Sequence, residues 1–194
     1  MAEAGLFDAV VVDRAPVADT CIDVLIWWAA RFAELGWTPS YGPGDHGNLS
    51  CRTPRGLMIS ARETSKATLR PDQFIEVTAL DQTGPRPRAT CRGLLLPSTD
   101  TLLHWRVYQL RPDVNAILHG HDKVALANAH ALNLPITSVS AAQPSMALVD
   151  DACRLAAKHD YILLRDHGFL VLGGTADEAG ELARDIAVRA RSAG

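Results

Sequence analysis

The stretch AILHGHD, residues 116–122, ends an apolar run with two histidines that are one residue apart. Side chains at alternate positions of a β-strand point to the same face, so His119 and His121 can present their imidazoles to one point at a strand end. The pair therefore indicates either two surface histidines or two ligands of a metal ion. A metal site would need a third ligand from elsewhere in the chain.

A third histidine lies in YILLRDHGFLVLG, residues 161–173, where a short polar turn joins two apolar strands. The turn places His167 at a hairpin tip, where an ordinary polar turn residue is equally expected. Three imidazoles with an open fourth position are the pattern of a catalytic zinc or similar divalent ion. Such an ion polarises a carbonyl group or activates a water molecule.

The segment PSTDTLLHWRVYQLRPD, residues 97–113, predicts a helix with Asp100 in its first turn. Helical spacing places Asp100 and His104 on one face. Asp100 is either a residue that complements the helix dipole or a metal ligand or general base, and His104 is either a core residue or part of that site. The backbone amides behind Ser98 and Thr99 are available to an anion.

Hydrophobic periodicity along the rest of the chain predicts an α/β fold. Residues 19–36 have the apolar spacing of a helix, and short β-rich runs separated by Pro and Gly signals follow between residues 48 and 80. Strands and helices alternate from residue 114 onward, including a strand predicted over residues 136–140. We expect a three-layer α/β/α protein with a largely antiparallel central sheet, formed by one domain over residues 1–194.

Composition excludes several classes of protein. A net charge of -3 gives no general attraction to nucleic acid, and no apolar stretch is long enough to span a bilayer. The first residues lack the basic and apolar regions of a secretory signal, so the expected location is cytoplasmic. The cysteines include no C-x-x-C pair, which predicts reduced structural thiols. They are Cys21, Cys51, Cys91 and Cys153.

Four short motifs in this order resemble the class II aldolase/adducin family over about residues 20–190. They are GNLS (47–50), PSTD (97–100), HGHD (119–122) and DHG (166–168). The resemblance implies that His119, His121 and His167 are the metal ligands. The ion would be Zn²⁺, with Mn²⁺, Fe²⁺ or Co²⁺ as alternatives.

The same resemblance implies roles for the residues around the ion. Asp100 takes the position of the catalytic carboxylate, where family aldolases have Glu and the epimerase branch has an Asp that can also coordinate the metal. Asn48 matches a substrate-contacting Asn, which could otherwise be a turn former, and Ser98 and Thr99 match a phosphate-binding pair. Family enzymes are cyclic tetramers with the active site between subunits, so we expect a homo-oligomer, most simply a tetramer.

The sequence also departs from the family pattern. Where the family usually has T-P-S/T-G, a phosphate-cradling loop, this chain has SARE, residues 60–63. Arg62 either grips a phosphate or carboxylate by a bidentate fork or is paired near Glu63 without a role. The segment between His121 and His167 is shorter than in fuculose-phosphate aldolase and lacks the tyrosine expected near Val139. The chain also ends before the C-terminal tyrosine of family enzymes.

These observations predict a metal-dependent lyase, of aldolase or decarboxylase type, that acts on a small hydroxy-keto compound or sugar phosphate. The ion would stabilise an enediolate, and Asp100 would move the proton. Asn48, Arg62, Ser98 and Thr99 would position the anionic end of the substrate. The alternatives are a sugar-phosphate epimerase, a non-haem iron oxygenase and a non-catalytic adducin-like interaction module, which lacks the metal histidines.

Overall fold

An eight-stranded sheet forms the centre of the protein in the computed structural model, which describes residues 5–140 and 145–193. The strands are β1 (Asp8–Asp13), β2 (Asn48–Thr53), β3 (Gly56–Ser60), β4 (Phe74–Asp81), β5 (Arg88–Arg92), β6 (Ala116–Gly120), β7 (Tyr161–Leu164) and β8 (Gly168–Gly173). Their order in the sheet is β1-β5-β4-β3-β2-β6-β8-β7. Among the strand pairs of the described residues, β1 with β5 is parallel and the others are antiparallel, which confirms the largely antiparallel sheet.

Helices cover both faces of this sheet. They are α1 (Ile22–Glu34), α2 (Thr101–Leu110), α3 (Lys123–Ala127), α4 (Met146–Ala156) and α5 (Ala176–Ser192). Helices α1, α3 and α5 enclose one apolar core with one face of the sheet, and α2 and α4 enclose a second core with the other. The central strands β2, β3, β6, β7 and β8 are almost wholly buried, so the predicted three-layer α/β/α arrangement is confirmed. None of the described helices is both long and apolar enough to cross a membrane.

The two tryptophans of α1 differ in their surroundings. Trp28 is fully buried and its Nε1 donates to Asp177 Oδ1 at 2.8 Å. A Cβ atom added to Gly180 would lie 2.3 Å from the Trp28 indole, so the missing side chain lets α5 approach α1 closely. Trp28 therefore belongs to the core of the protomer and offers no surface to a partner, whereas Trp27 is 49% exposed.

Two local predictions are wrong. Residues 136–140 do not form a strand, because the backbone amides of Ser138 and Val139 donate to the Asp151 carboxylate, and only Ile136 bridges to β7. Cys21 and Cys51 form a disulfide rather than two reduced thiols, because the start of α1 packs over β2 and brings the positions together. Cys91 and Cys153 are free and buried, as expected.

Candidate metal centre

The C-terminal end of β6 positions the first two histidines. His119 is buried in the strand, and its Nδ1 lies 2.7 Å from the carbonyl oxygen of Phe169, to which it can donate. That hydrogen bond leaves Nε2 as the atom with a free lone pair, as a metal ligand requires. His121 follows the strand and is held by its backbone N–H, which donates to the Trp37 carbonyl oxygen at 2.7 Å. The two rings lie 4.9 Å apart.

The β7–β8 hairpin brings the third histidine to the same point. Asp166 adopts a left-handed conformation with φ 59°, which turns the chain sharply before His167. A Cβ atom on Gly168 would lie 2.3 Å from the Gly120 carbonyl oxygen, so glycine allows the hairpin tip to lie against β6. His167 Nε2 is 3.1 Å from His119 Nε2. One ligand nitrogen from each of the three histidines lies within 4.8 Å of the others.

The electrostatics of these imidazoles suit a cation. The pKa of His119 is lowered to about 4 and that of His121 to about 2, mainly by burial and in part by neighbouring imidazoles, although the Asp100 carboxylate opposes the shift of His119. Both rings are therefore neutral near pH 7, the form that coordinates a metal. Within the described chain, His121 Nε2 and His167 Nδ1 are buried without a hydrogen-bond partner. Converging ring nitrogens, in a cluster that leaves buried nitrogens without a hydrogen-bond partner, are the donor set that a divalent ion fits.

Asp100 and Asn48 lie beside the three histidines. Asn48 is paired with His119 across β2 and β6, and its Nδ2 donates to Asp100 Oδ2 at 2.7 Å. Asp100 Oδ2 is 3.9 Å from His119 Nε2. Burial alone would raise the pKa of Asp100, but the adjacent imidazoles, foremost His119, and the Asn48 amide hold it below its ordinary value. Near pH 7 the carboxylate is thus ionised beside the neutral rings of His119 and His121.

The loop before α2 places Ser98 and Thr99 next to Arg62. Ser98 Oγ accepts a hydrogen bond from the Asp100 backbone N–H at 3.2 Å. Arg62 is held beside this loop by its Nε, which donates to the Pro97 carbonyl oxygen at 2.9 Å. Arg62 forms no ion pair with Glu63 among the described contacts. The structure therefore brings Arg62 to the loop predicted to bind an anion.

Glu63 occupies the position where the family loop has glycine, and it keeps a glycine-like backbone. Its φ is 57°, in the left-handed region that costs a residue with a Cβ roughly 1 kcal/mol. Glu63 thus adopts the left-handed conformation that favours glycine.

His104 is part of a buried polar chain behind Asp100. Its Nδ1 lies 2.7 Å from Ser50 Oγ, which in turn lies 2.9 Å from the Tyr108 hydroxyl. Burial lowers the pKa of His104 to about 3, so the ring is neutral. Its Nε2 has no partner within the described chain. The helical spacing correctly predicts that Asp100 and His104 share a face, and these contacts fix α2 against β2.

Sequence reasoning missed a fourth imidazole. The ring of His46 lies 4.8 Å from that of His121, and the ring of Tyr41 lies 4.8 Å from that of His46. Both residues are solvent-exposed at the outer edge of the site. The sequence signal that could have placed His46 near the site is its position, two residues before Asn48 and directly after a Gly-Pro-Gly turn and Asp45.

This fold and site define a class. Residues 24–192 match the family described as Class II Aldolase and Adducin N-terminal domain, and the chain belongs to that family. The structure resembles L-fuculose-1-phosphate aldolase from Thermus thermophilus, with a TM-score of 0.67 and 22% identity, covering 88% of this chain and 92% of that one. At this identity the likeness concerns the fold alone.

Two curated relatives carry the name methylthioribulose-1-phosphate dehydratase. The protein from Gluconacetobacter diazotrophicus is 42% identical over 92 residues, which are 47% of this chain and 40% of the relative. The protein from Pseudoalteromonas translucida is 27% identical over 187 residues, covering 82% of this chain and 83% of the relative. The match thus spans less than half of the first relative's length and most of the second's. Both names describe lyases.

Proposed function

We propose that this protein is a metal-dependent lyase that cleaves a carbon–carbon bond in a small hydroxy-keto compound with an anionic end, and that the chain forms one domain for this task. The observation that carries the proposal is the convergence of three imidazoles with an ionised carboxylate, held by an amide, at one end of the sheet. Those imidazoles belong to His119, His121 and His167.

The three histidines would hold one divalent ion, Zn²⁺ in the first instance, and Asp100 is close enough to His119 to contribute a fourth ligand. When bound, the ion supplies Lewis acidity that draws electron density from a carbonyl oxygen of the substrate. The Phe169 carbonyl oxygen fixes the orientation of the His119 ring, which supports a ligand geometry set before the ion binds.

Asp100 would move the proton. Neighbouring imidazoles, foremost His119, together with the Asn48 amide hold the Asp100 carboxylate ionised, so Asp100 can accept the hydroxyl proton of the substrate while the carbon–carbon bond breaks and its electrons move towards the carbonyl. The same carboxyl group can then return the proton to the fragment that carries the negative charge. Positioned proton transfer of this kind contributes about 10²–10⁴-fold to a rate.

The anionic end of the substrate would bind at Ser98, Thr99 and Arg62. Arg62 adds a fixed positive charge, and Glu63 adds a negative one where the family has glycine. The Arg62 guanidinium supports a carboxylate or an Arg-held phosphate as the anion rather than a phosphate cradled by backbone amides alone. The change Arg62→Ala is therefore expected to lower kcat/KM on the best substrate found.

Carbon–oxygen elimination is the second candidate reaction, and the names of both curated relatives favour it. The two reactions differ in their products, because elimination keeps the carbon skeleton whole and releases water, whereas cleavage gives two carbon fragments. An epimerised product or oxygen consumption would indicate the epimerase or oxygenase alternative instead.

We further propose that the active protein is a homo-oligomer, with a tetramer as the expected form. Leu94, Leu95 and Leu96 form an exposed apolar run directly before Ser98 and Thr99, which supports burial of this edge of the site by a second subunit. Trp27, which is half-exposed, offers a second apolar contact. A monomer in light scattering, together with full activity at nanomolar protein concentration, would overturn the proposed oligomer.

The function is tested with metal-loaded protein prepared without a His-tag. Hydroxy-keto acids and sugar phosphates, including fuculose 1-phosphate and methylthioribulose 1-phosphate, are screened by mass spectrometry of the products. We expect Asp100→Asn to keep its metal and to lose roughly 100-fold or more in kcat. His130→Ala, which changes an exposed histidine outside the site, serves as the control and should keep the wild-type kcat. Equal rates in Asp100→Asn and wild type would refute the role of Asp100.

A further inference from the structure

His46 stands directly outside the cluster of His119, His121 and His167. Its ring lies over that of His121 at 4.8 Å with an interplanar angle of 39°. It does not belong to the group whose ligand nitrogens lie within 4.8 Å of one another. Its place is therefore that of a residue that faces what the cluster binds, rather than that of a ligand.

The loop that carries His46 is closed by its own hydrogen bonds. The backbone N–H of His46 donates to the Pro39 carbonyl oxygen at 2.9 Å, and that of Tyr41 donates to the Gly44 carbonyl oxygen at 3.0 Å. Ser40 and Asp45 form an isolated antiparallel bridge. The backbone at His46 is thus fixed, although its side chain is exposed to solvent.

A buried lysine anchors this loop to the rest of the protein. The Lys66 backbone N–H donates to Asp45 Oδ2 at 2.7 Å, and the fully buried Lys66 Nζ donates to the Thr64 carbonyl oxygen at 2.9 Å and approaches the Asp45 carbonyl oxygen at 3.4 Å. The Asp45 backbone N–H also donates to the Thr64 carbonyl oxygen. These contacts fix Asp45, the residue immediately before His46. They also compensate part of the free-energy cost of burying the Lys66 ammonium group.

The other side of His46 is fixed against the metal strand. Gly47 has φ 82°, and a Cβ atom there would lie 2.8 Å from the His119 carbonyl oxygen. The backbone therefore runs close beside the end of β6 between His46 and Asn48, which pairs with His119. This close approach fixes the backbone next to His46 relative to the metal strand, as a binding residue needs.

We propose that His46 is a substrate-binding residue, whose imidazole forms a hydrogen bond with a hydroxyl or carboxylate oxygen of the ligand held at the open side of the three-histidine cluster. The Tyr41 ring lies 4.8 Å from the His46 ring. The proposal rests on the metal site of the proposed function and adds a contact that the sequence motifs do not include. Its effect falls on ligand affinity and leaves metal affinity unchanged.

The test uses Co²⁺-loaded full-length protein, because the visible spectrum of Co²⁺ changes when an oxygen chelator binds. Acetohydroxamate serves as the probe, with its paired oxygens in place of those of a hydroxy-keto group. We expect His46→Ala to weaken acetohydroxamate binding by about tenfold or more, as loss of one good hydrogen bond predicts. His46→Gln, which keeps a hydrogen-bonding group, should recover part of that affinity.

Two controls keep the outcomes distinct. His130→Ala, on the exposed surface, should match wild type in both Co²⁺ and acetohydroxamate binding, and His46→Ala should bind Co²⁺ within about threefold of wild type. Equal acetohydroxamate affinity in Co²⁺-loaded wild type and His46→Ala would overturn this proposal alone. Loss of Co²⁺ from His46→Ala would also overturn it, by making His46 a ligand. Failure of the wild type to bind Co²⁺ would overturn the metal site and this proposal together.

Discussion

Replacing Lys66 with methionine should remove a pH-dependent part of the protein's stability. Lys66 Nζ is buried, and burial lowers its pKa from 10.5 to about 8, although the charge of Asp45 opposes the shift. Between those two values the unfolded chain binds a proton that the folded protein has released. The free energy of unfolding of the wild type therefore rises with pH in this window.

The size of this rise follows from the two pKa values. A fall from 10.5 to about 8 corresponds to roughly 3 kcal/mol, most of which is gained between pH 7 and pH 10. Below pH 8 lysine is charged in both states, and the folded protein carries the full cost of its burial. The Lys66→Met variant has no titrating group at this position, so its free energy of unfolding should lack this rise with pH. Relative to wild type, the free energy of unfolding of the variant should be highest at pH 7.

Urea unfolding of both proteins at pH 7 and pH 10 measures this difference, because titrations common to both proteins cancel. We expect the wild type to gain roughly 2–3 kcal/mol relative to Lys66→Met between the two pH values. Lys158→Met removes an exposed lysine and should show no such change relative to wild type. An identical pH dependence for wild type and Lys66→Met would refute the burial argument.

Three further substitutions test local parts of the structure. Gly168→Ala places a Cβ atom 2.3 Å from the Gly120 carbonyl oxygen, so we expect a loss of about 2 kcal/mol in urea unfolding together with weaker metal binding; unchanged values would contradict the close approach. Glu63→Gly relieves a φ of 57° and should stabilise the protein by roughly 0.5–1 kcal/mol, and destabilisation would argue for a side-chain role. Trp28→Phe removes the hydrogen bond to Asp177, so we expect a lower melting temperature and a loss of about 1 kcal/mol in the free energy of unfolding. An unchanged melting temperature would show that this hydrogen bond does not stabilise the protein.

The central part of the site could be predicted because it depends on local spacing. The i, i+2 relation of His119 and His121 and the hairpin tip at His167 follow from strand geometry, and the i, i+4 relation of Asp100 and His104 follows from helix geometry. The family motifs then linked these separate segments. The contact of Asn48 with Asp100 joins residues 52 positions apart and depends on the packing of α2 against β2.

Other features depend on contacts between distant segments that leave no local pattern. Strand β1 was missed because its partner β5 lies about eighty residues away and the pair is parallel at a sheet edge. The segment 136–140 has the composition of a strand, but the Asp151 carboxylate of α4 accepts hydrogen bonds from its backbone amides, which a strand would donate to a neighbouring strand. His46 was missed because its position depends on a buried lysine twenty residues later, in a loop whose sequence resembles an ordinary turn.

Metal stoichiometry tests the central claim most directly. Protein prepared without a tag and loaded with Zn²⁺ is dialysed and analysed by plasma mass spectrometry, for wild type, His119→Ala, His121→Ala, His167→Ala and the surface control His130→Ala. The account predicts about one ion per chain in wild type and His130→Ala, and an empty site in each of the other three. Full Zn²⁺ occupancy in His167→Ala, or none in wild type, would contradict a metal centre built from these three histidines.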